Sequence, residues 1–351
     1  MTLGPEPERQ VQFLFGVQRL LSDGSFVATY KFALLLSLAD LAVERGDDTT
    51  DSLLLDTRDL AERFVGLYWR QVLPWVQAGS DTSGRLHQVT GSGAAILNRI
   101  AGAHERFQGS LARLRRDRAA WDRLLKDVAR TIEVMPLWKL QTVGRQRLDF
   151  LYPNVGKGSH LRLHGEAVYC LRRFRDLIGD MAETAWVRFV QRLPRNRALL
   201  GGGPDLREFL FGSDRTALAS ARNLLLEVEG NRCFYCANAI RGEPAVDHFI
   251  PWARYPLDLL DNFVLADGRC NGDKADRLAA FEHLERWCGR NARPDWTAAL
   301  EDRILPQDSR RTKRVAGWAY GHAEAALATV WQRGRDGLVD LDPRWRVLLR
   351  G

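Results

Sequence analysis

Lysine is nearly missing from this chain: only six of its 51 basic residues are lysine, and the other 45 are arginine. Cysteine is sparse and odd in number, with Cys170 alone and Cys233, Cys236, Cys270 and Cys288 gathered late. That pattern excludes a secreted framework of paired disulfides and fits a reducing compartment. No apolar run is long enough to cross a bilayer; the strongest, FALLLSLADLA, is interrupted by Asp40. The opening MTLGPEPERQ has no basic stretch followed by an apolar one, so no export signal is expected. These absences together lead to the expectation of a cytoplasmic protein with no membrane partner. Solenoid-period repeats and low-complexity tracts are also missing.

What is present is a globular composition, 45% hydrophobic and 27% charged, with a formal charge of +7. A positive excess carried by arginine suits phosphate, because the planar guanidinium makes two parallel hydrogen bonds. It is compatible with a nucleic-acid partner without requiring one.

Patterning predicts an α+β fold, mainly α-helical. Residues 1–130 are expected to form a helical region. In it, SFVATYKFALLLSLADLAVERG has Ser25 as candidate N-cap and Gly46 past its end, and DTRDLAERFVGLYWRQVLPW has Asp56 as candidate cap. The stretch ERFQGSLARLRRDRAAWDRLLKDVART is expected as one strongly basic helix that either tracks a phosphate backbone or is a solvated face. Residues 131–204 are expected to hold a small antiparallel sheet built from TIEVMPLWKLQ, QRLDFLYP and SHLRLHGEAVY, followed by a helix. A further module is expected at 205–300, in which CNGDKADRLAAFEHLERWCGR is helical, and helices at 301–351. The helix starting DSRRTKR sets basic residues against the positive end of its own dipole, which calls for a later start or an anionic neighbour.

The densest chemistry lies in NRCFYCANAIRGEPAVDHFIPWARYPLDLLDNFVLADGRCNGDKADRL, residues 231–278. Cys233 and Cys236 form a C-x2-C knuckle, the spacing with which a tight turn offers two thiolates to one tetrahedral metal. Cys270 is a candidate third ligand, and Asp267, three before it, a candidate fourth; His283 and Cys288 are alternatives, and three thiols packed without metal remain open. In AVDHFIPW, Ala245 and Val246 are expected to end a short strand, so that Asp247 and His248 lie where it gives way to loop, and an imidazole beside an acid can serve as a general base near neutral pH. A second strand begins at Asn262, and a helix starts near Asn271.

Asp247-His248, Asn262 fourteen residues on and Asn271 nine further, with the flanking C-x2-C and the C-N-x-x-K of residues 270–274, resemble the HNH endonuclease family. The resemblance covers about residues 231–280 and implies two strands and a helix around one divalent cation. It implies that His248 is the general base acting on water, that Asn262 holds the loop carrying it, and that Asp247 and Asn271 bind catalytic Mg2+ or Mn2+. Cys233, Cys236, Cys270 and Asp267 would hold structural Zn2+. Lys274 would meet a phosphate, with Arg269 and Arg277 as further nucleic-acid contacts. The implied activity is metal-dependent hydrolysis of phosphodiester bonds, in DNA more than RNA, in a restriction, anti-phage or mobile-element setting, with a protein partner or activator compatible with it. The alternative is a nucleic-acid-binding protein that uses the same fold without cutting.

Overall fold

The computed structural model describes residues 4–24, 26–76, 83–91, 93–153, 158–200, 205–213, 215–296 and 306–349. It is mainly helical with small two-stranded antiparallel sheets, an α+β arrangement. The chain divides into two compact units, Met1–Gly212 and Ser213–Gly351.

In the first unit, α1 (Pro7–Asp23) and α2 (Tyr30–Arg45) are followed by β1 (Leu53–Asp56), α3 (Thr57–Trp69) and the antiparallel pair β2 (Pro74–Val76) and β3 (Ser83–Arg85). Helix α2 is buried on almost every side, from Phe32 to Val43, as expected of a helix apolar all round. Its start lies at Tyr30 after Thr29; the expected cap, Ser25, lies outside the described residues. Gly46 follows its end, and its N–H donates to the Ala42 carbonyl. Asp56 caps α3 as its sequence predicts: its carboxylate accepts from Arg58 N at 2.7 Å, and Asp59 reaches back to Asp56 N.

The single basic helix expected after residue 105 is instead three. Helix α4 (Ala95–Arg106) ends at a turn through Gly109, at φ +76°, and Ser110 and Asp117 each cap a new start, α5 (Leu111–Arg116) and α6 (Arg118–Val134). The three segments expected across 131–169 also do not pair into one sheet. TIEV continues α6, because Leu124, Leu125, Val128 and Ile132 make one buried helical stripe and that burial outweighs the β preference of Ile132 and Val134. After α7 (Pro136–Lys139), the two-residue strands β4 (Thr142–Val143) and β5 (Gln146–Arg147) make a hairpin. Strand β6 (His160–Leu163) pairs with β1, with Leu55 opposite Leu161. The expected break at residue 130 therefore falls inside one unit, because β6 completes a sheet begun before it. Helices α8 (Gly165–Arg173), α9 (Arg175–Arg192) and α10 (Leu206–Phe211) close the unit, and α9 packs on α2. The glycine run at 201–204 lies outside the described residues.

The second unit opens with α11 (Arg215–Glu229), then β7 (Ala245–His248), β8 (Phe263–Ala266), α12 (Gly268–Lys274) and α13 (Phe281–Asn291). The helix expected over residues 270–290 is broken at Ala275, at φ +49°, a conformation that a residue with a Cβ rarely adopts. The helix Ser309–Ala325 begins with the basic residues Arg310 and Arg311, and Asp308 offsets them by accepting from Arg311 N. A short hairpin (Thr329–Trp331 with Leu338–Asp340) and the helix Trp345–Leu349 end the chain, where helices alone were expected. No described helix is long and apolar enough to cross a membrane.

Candidate active site

Strands β7 and β8 pair antiparallel, with Asp247 opposite Val264 and His248 opposite Phe263, and α12 starts two residues after β8. All four residues of β8 are buried, so its register is fixed by the core rather than by a turn. Helix α13 braces this hairpin. Trp287 stacks on Phe249 at 4.7 Å and donates to the Asp261 carbonyl, and buried Arg290 donates to the Phe263 and Asp261 carbonyls. Burial holds Arg290 below the usual guanidinium range, against the pull of Glu229 at 3.5 Å.

Asn262, fully buried, sits at the foot of the loop that links the strands. Its Oδ1 accepts from Ile250 N at 2.8 Å, and its Nδ2 donates to the carbonyls of Ile250 (3.1 Å) and Leu257 (3.2 Å). Those three bonds tie both arms of the loop that follows His248. The imidazole of His248 lies at the edge of this loop, between Trp252 and Phe263. Its Nε2 is 2.7 Å from Oδ1 of Asp258, a residue that sequence spacing did not single out.

Asp247 points the other way. Its Oδ2 accepts from the Tyr235 hydroxyl at 2.5 Å and lies 2.9 Å from Nζ of Lys274. Lys274 has no exposed surface and also donates to the His248 carbonyl at 2.9 Å. The phosphate contact expected of Lys274 is thus not open to it, since its ammonium is enclosed between Asp247 and the His248 carbonyl. Burial, and then the charge on Asp247, raise Tyr235 well above the usual phenol range, so it stays a donor to the carboxylate. Asn271 lies three residues before Lys274, hence on the same helical face, half-buried. Among the described residues its side-chain amide has no hydrogen-bond partner, and neither has Oδ1 of Asp247. Arg269 is largely exposed, 3.8 Å from Asp273, whereas Arg277 is half-buried with Nη1 donating to the Asp273 and Arg335 carbonyls.

Next to this lies the cysteine cluster. Ligand atoms of Cys233, Cys236, Asp267 and Cys270 all fall within 4.8 Å of one another, so the four could hold a metal such as zinc. The knuckle is shaped by Ala237, at φ +61°, whose N–H donates to the Cys233 carbonyl. Phe234 N joins it to β8 through the Leu265 carbonyl. Asp267 has two tasks: Oδ1 accepts from Cys270 N at 2.8 Å, capping α12, and Oδ2 faces the Cys236 thiol at 3.8 Å. Burial first, and then neighbouring thiols, push the Cys270 thiol far up, so without a cation it stays protonated. His283 and Cys288 stay outside the cluster. His283 donates Nε2–H to the Gln332 carbonyl, and burial pushes Cys288 up to about 11.

The basic stripe on α5 and α6 is partly paired within the first unit: Arg115 meets Glu62 at 3.2 Å, and Arg113 donates to Gln108. Residues 12–201, just over half of the chain, match the family described as Domain of unknown function (DUF8808). The chain belongs to this family. The matched span lies within the first unit, and the description carries no activity. No curated protein and no solved structure matches the chain.

Proposed function

We propose that this DUF8808 protein is a metal-dependent endonuclease of the HNH kind that hydrolyses phosphodiester bonds in nucleic acid, DNA in preference to RNA, with residues 231–280 as its catalytic module. The observation that carries the proposal is the clamp of Asn262 on the loop after His248, because it holds a histidine rigidly at a strand end beside an acid and an amide. A general base must be fixed to a fraction of an ångström, and a buried amide with three backbone bonds supplies that.

The residues fit a hard cation. Asp247 keeps Oδ1 open while Tyr235 and Lys274 orient it through Oδ2, and Asn271 offers an amide oxygen from the facing helix. Mg2+ or Mn2+ held there would stabilise charge developing on the phosphate and on the leaving 3′ oxygen. His248 takes the proton of the attacking water, and Arg269, exposed on α12, is placed to meet a backbone phosphate. Zn2+ at Cys233, Cys236, Asp267 and Cys270 would be structural, since four protein ligands leave no position for water.

A second reading is a nucleic-acid-binding protein that does not cut. What favours it is Lys274, whose buried ammonium already supplies Asp247 with a positive partner. Incubating the purified chain with supercoiled plasmid, linear duplex, single-stranded DNA and RNA, each with Mg2+, Mn2+ or EDTA, separates the two. Cutting that needs Mg2+ or Mn2+ supports the nuclease. Binding without cutting in every metal supports the second reading.

A further inference from the structure

We infer that Asp258 is the positioning residue that makes His248 a base at Nδ1, an inference that rests on the nuclease reading for its catalytic half. A carboxylate oxygen can only accept, so the 2.7 Å contact requires Nε2 of His248 to carry the proton. In the neutral ring the other nitrogen, Nδ1, then holds the free lone pair. The ring is held on three sides: Asp258 at Nε2, Trp252 and Phe263 on its flanks. The backbone on which it sits is held separately, by Lys274 at the His248 carbonyl and by Asn262 two residues on. Backbone position and tautomer are thus set by different residues, and among the described residues only Asp258 is hydrogen-bonded to a ring nitrogen.

The step balances without a further reagent. Water gives a proton to Nδ1 as its oxygen bonds to phosphorus; the bond from phosphorus to the 3′ oxygen breaks, and that oxygen takes a proton from solvent. Asp258 neither gains nor loses a proton. It bonds to the Nε2–H of the neutral ring and remains bonded to the imidazolium that forms.

Asp258→Asn and Asp258→Ala test this, with Asp258→Glu as the conservative control. Long-range ¹H–¹⁵N spectra of the neutral His248 ring, assigned by loss of its signals in His248→Gln, read the tautomer without any reference to activity. The native chain is expected to show Nε2–H, and Asp258→Ala and Asp258→Asn a mixture or Nδ1–H. In the cleavage assay, both variants should lose turnover by about 10²- to 10⁴-fold with KM little changed, and Asp258→Glu should regain part of it. An Nδ1–H tautomer in the native chain, or one tautomer common to native and both variants, overturns the proposal. Unchanged turnover in a variant whose tautomer has shifted overturns the catalytic half. A native chain that cuts no substrate overturns the nuclease reading and that half with it, while the spectra still decide the pairing by themselves.

Discussion

Nζ of Lys274 lies 2.9 Å from Oδ2 of Asp247, and neither the lysine nor more than a sliver of the aspartate reaches solvent. Removing one partner of such a pair strands a charge in the interior. Lys274→Met should therefore destabilise the second unit by about 3–5 kcal/mol in urea unfolding, and Asp247→Asn added to it should restore part of the loss. A Lys274→Met chain as stable as the native one, but weaker on DNA, would show that the lysine is a phosphate contact after all.

Asp267 combines a helix cap with a metal ligand, and two substitutions pull these apart. Native protein should contain about one zinc per chain. Asp267→Ser keeps a capping oxygen but loses the anionic ligand, so zinc should leave at lower chelator concentration while the stability of the metal-free chain changes little. Asp267→Ala should cost about 1 kcal/mol more in that metal-free state. Elemental analysis that finds the same zinc in native and Cys233→Ser protein would remove the cluster as its site.

His248→Ala should slow cutting by about 10²- to 10⁴-fold while leaving nucleic-acid affinity nearly intact, because a neutral imidazole contributes to proton transfer more than to grip. Asn271→Ala should also stop cutting, with partial recovery at high Mg2+ or Mn2+, because what it loses is cation occupancy. Titrating each variant with metal in the plasmid assay distinguishes them; full activity of His248→Ala would end the mechanism.

His283 gives the second unit a pH dependence. Burial lowers it from its ordinary 6.5, and its Nδ1 is enclosed without a partner. Between the lowered value and 6.5 the unfolded chain takes up a proton that the folded chain refuses. Stability is thus full above 6.5 and falls as pH drops through that window. Thermal melts at pH 7.5, 6 and 5 should show a smaller acid loss in His283→Gln than in the native chain; parallel losses would assign the effect to other groups.

Ala275, at φ +49° and ψ −126°, closes α12 in a conformation that suits glycine. Relief of that strain exceeds glycine's added entropy in the unfolded chain, so Ala275→Gly should stabilise the unit by about 1 kcal/mol. A lower melting temperature for the variant would show that the methyl group is doing more in packing than it costs in backbone strain.

Much of the candidate site was legible because its signals are local. Asp247, His248, Asn262 and Asn271 are marked by spacing along two strands and a helix, and the Cys233 knuckle by its own turn. Asp56 was found as a cap for the same reason: its partners are two and three residues away. Asp258 and the fate of Lys274 were not legible, because each depends on where a loop or a helix face comes to rest. A lysine in C-N-x-x-K reads as a surface charge until packing buries it against Asp247. The sheet in the first unit escaped for a similar reason, since nothing in SHLRLHGEAVY names Leu53–Asp56 as its partner.

That pairing also has a consequence in time. Strand β1 waits for a partner roughly a hundred residues downstream. At about 5–20 residues per second, a nascent chain holds Leu53, Leu54 and Leu55 as an unpaired edge for roughly 5–20 s. Non-local closure of this kind slows folding, and an open apolar edge invites pairing with other chains. A fragment ending at residue 150 should aggregate on dilution from urea, whereas one ending at 212 should refold; equal solubility of the two would show that the helices alone protect the edge. Birth of this protein is then a race between the ribosome and its own leucines.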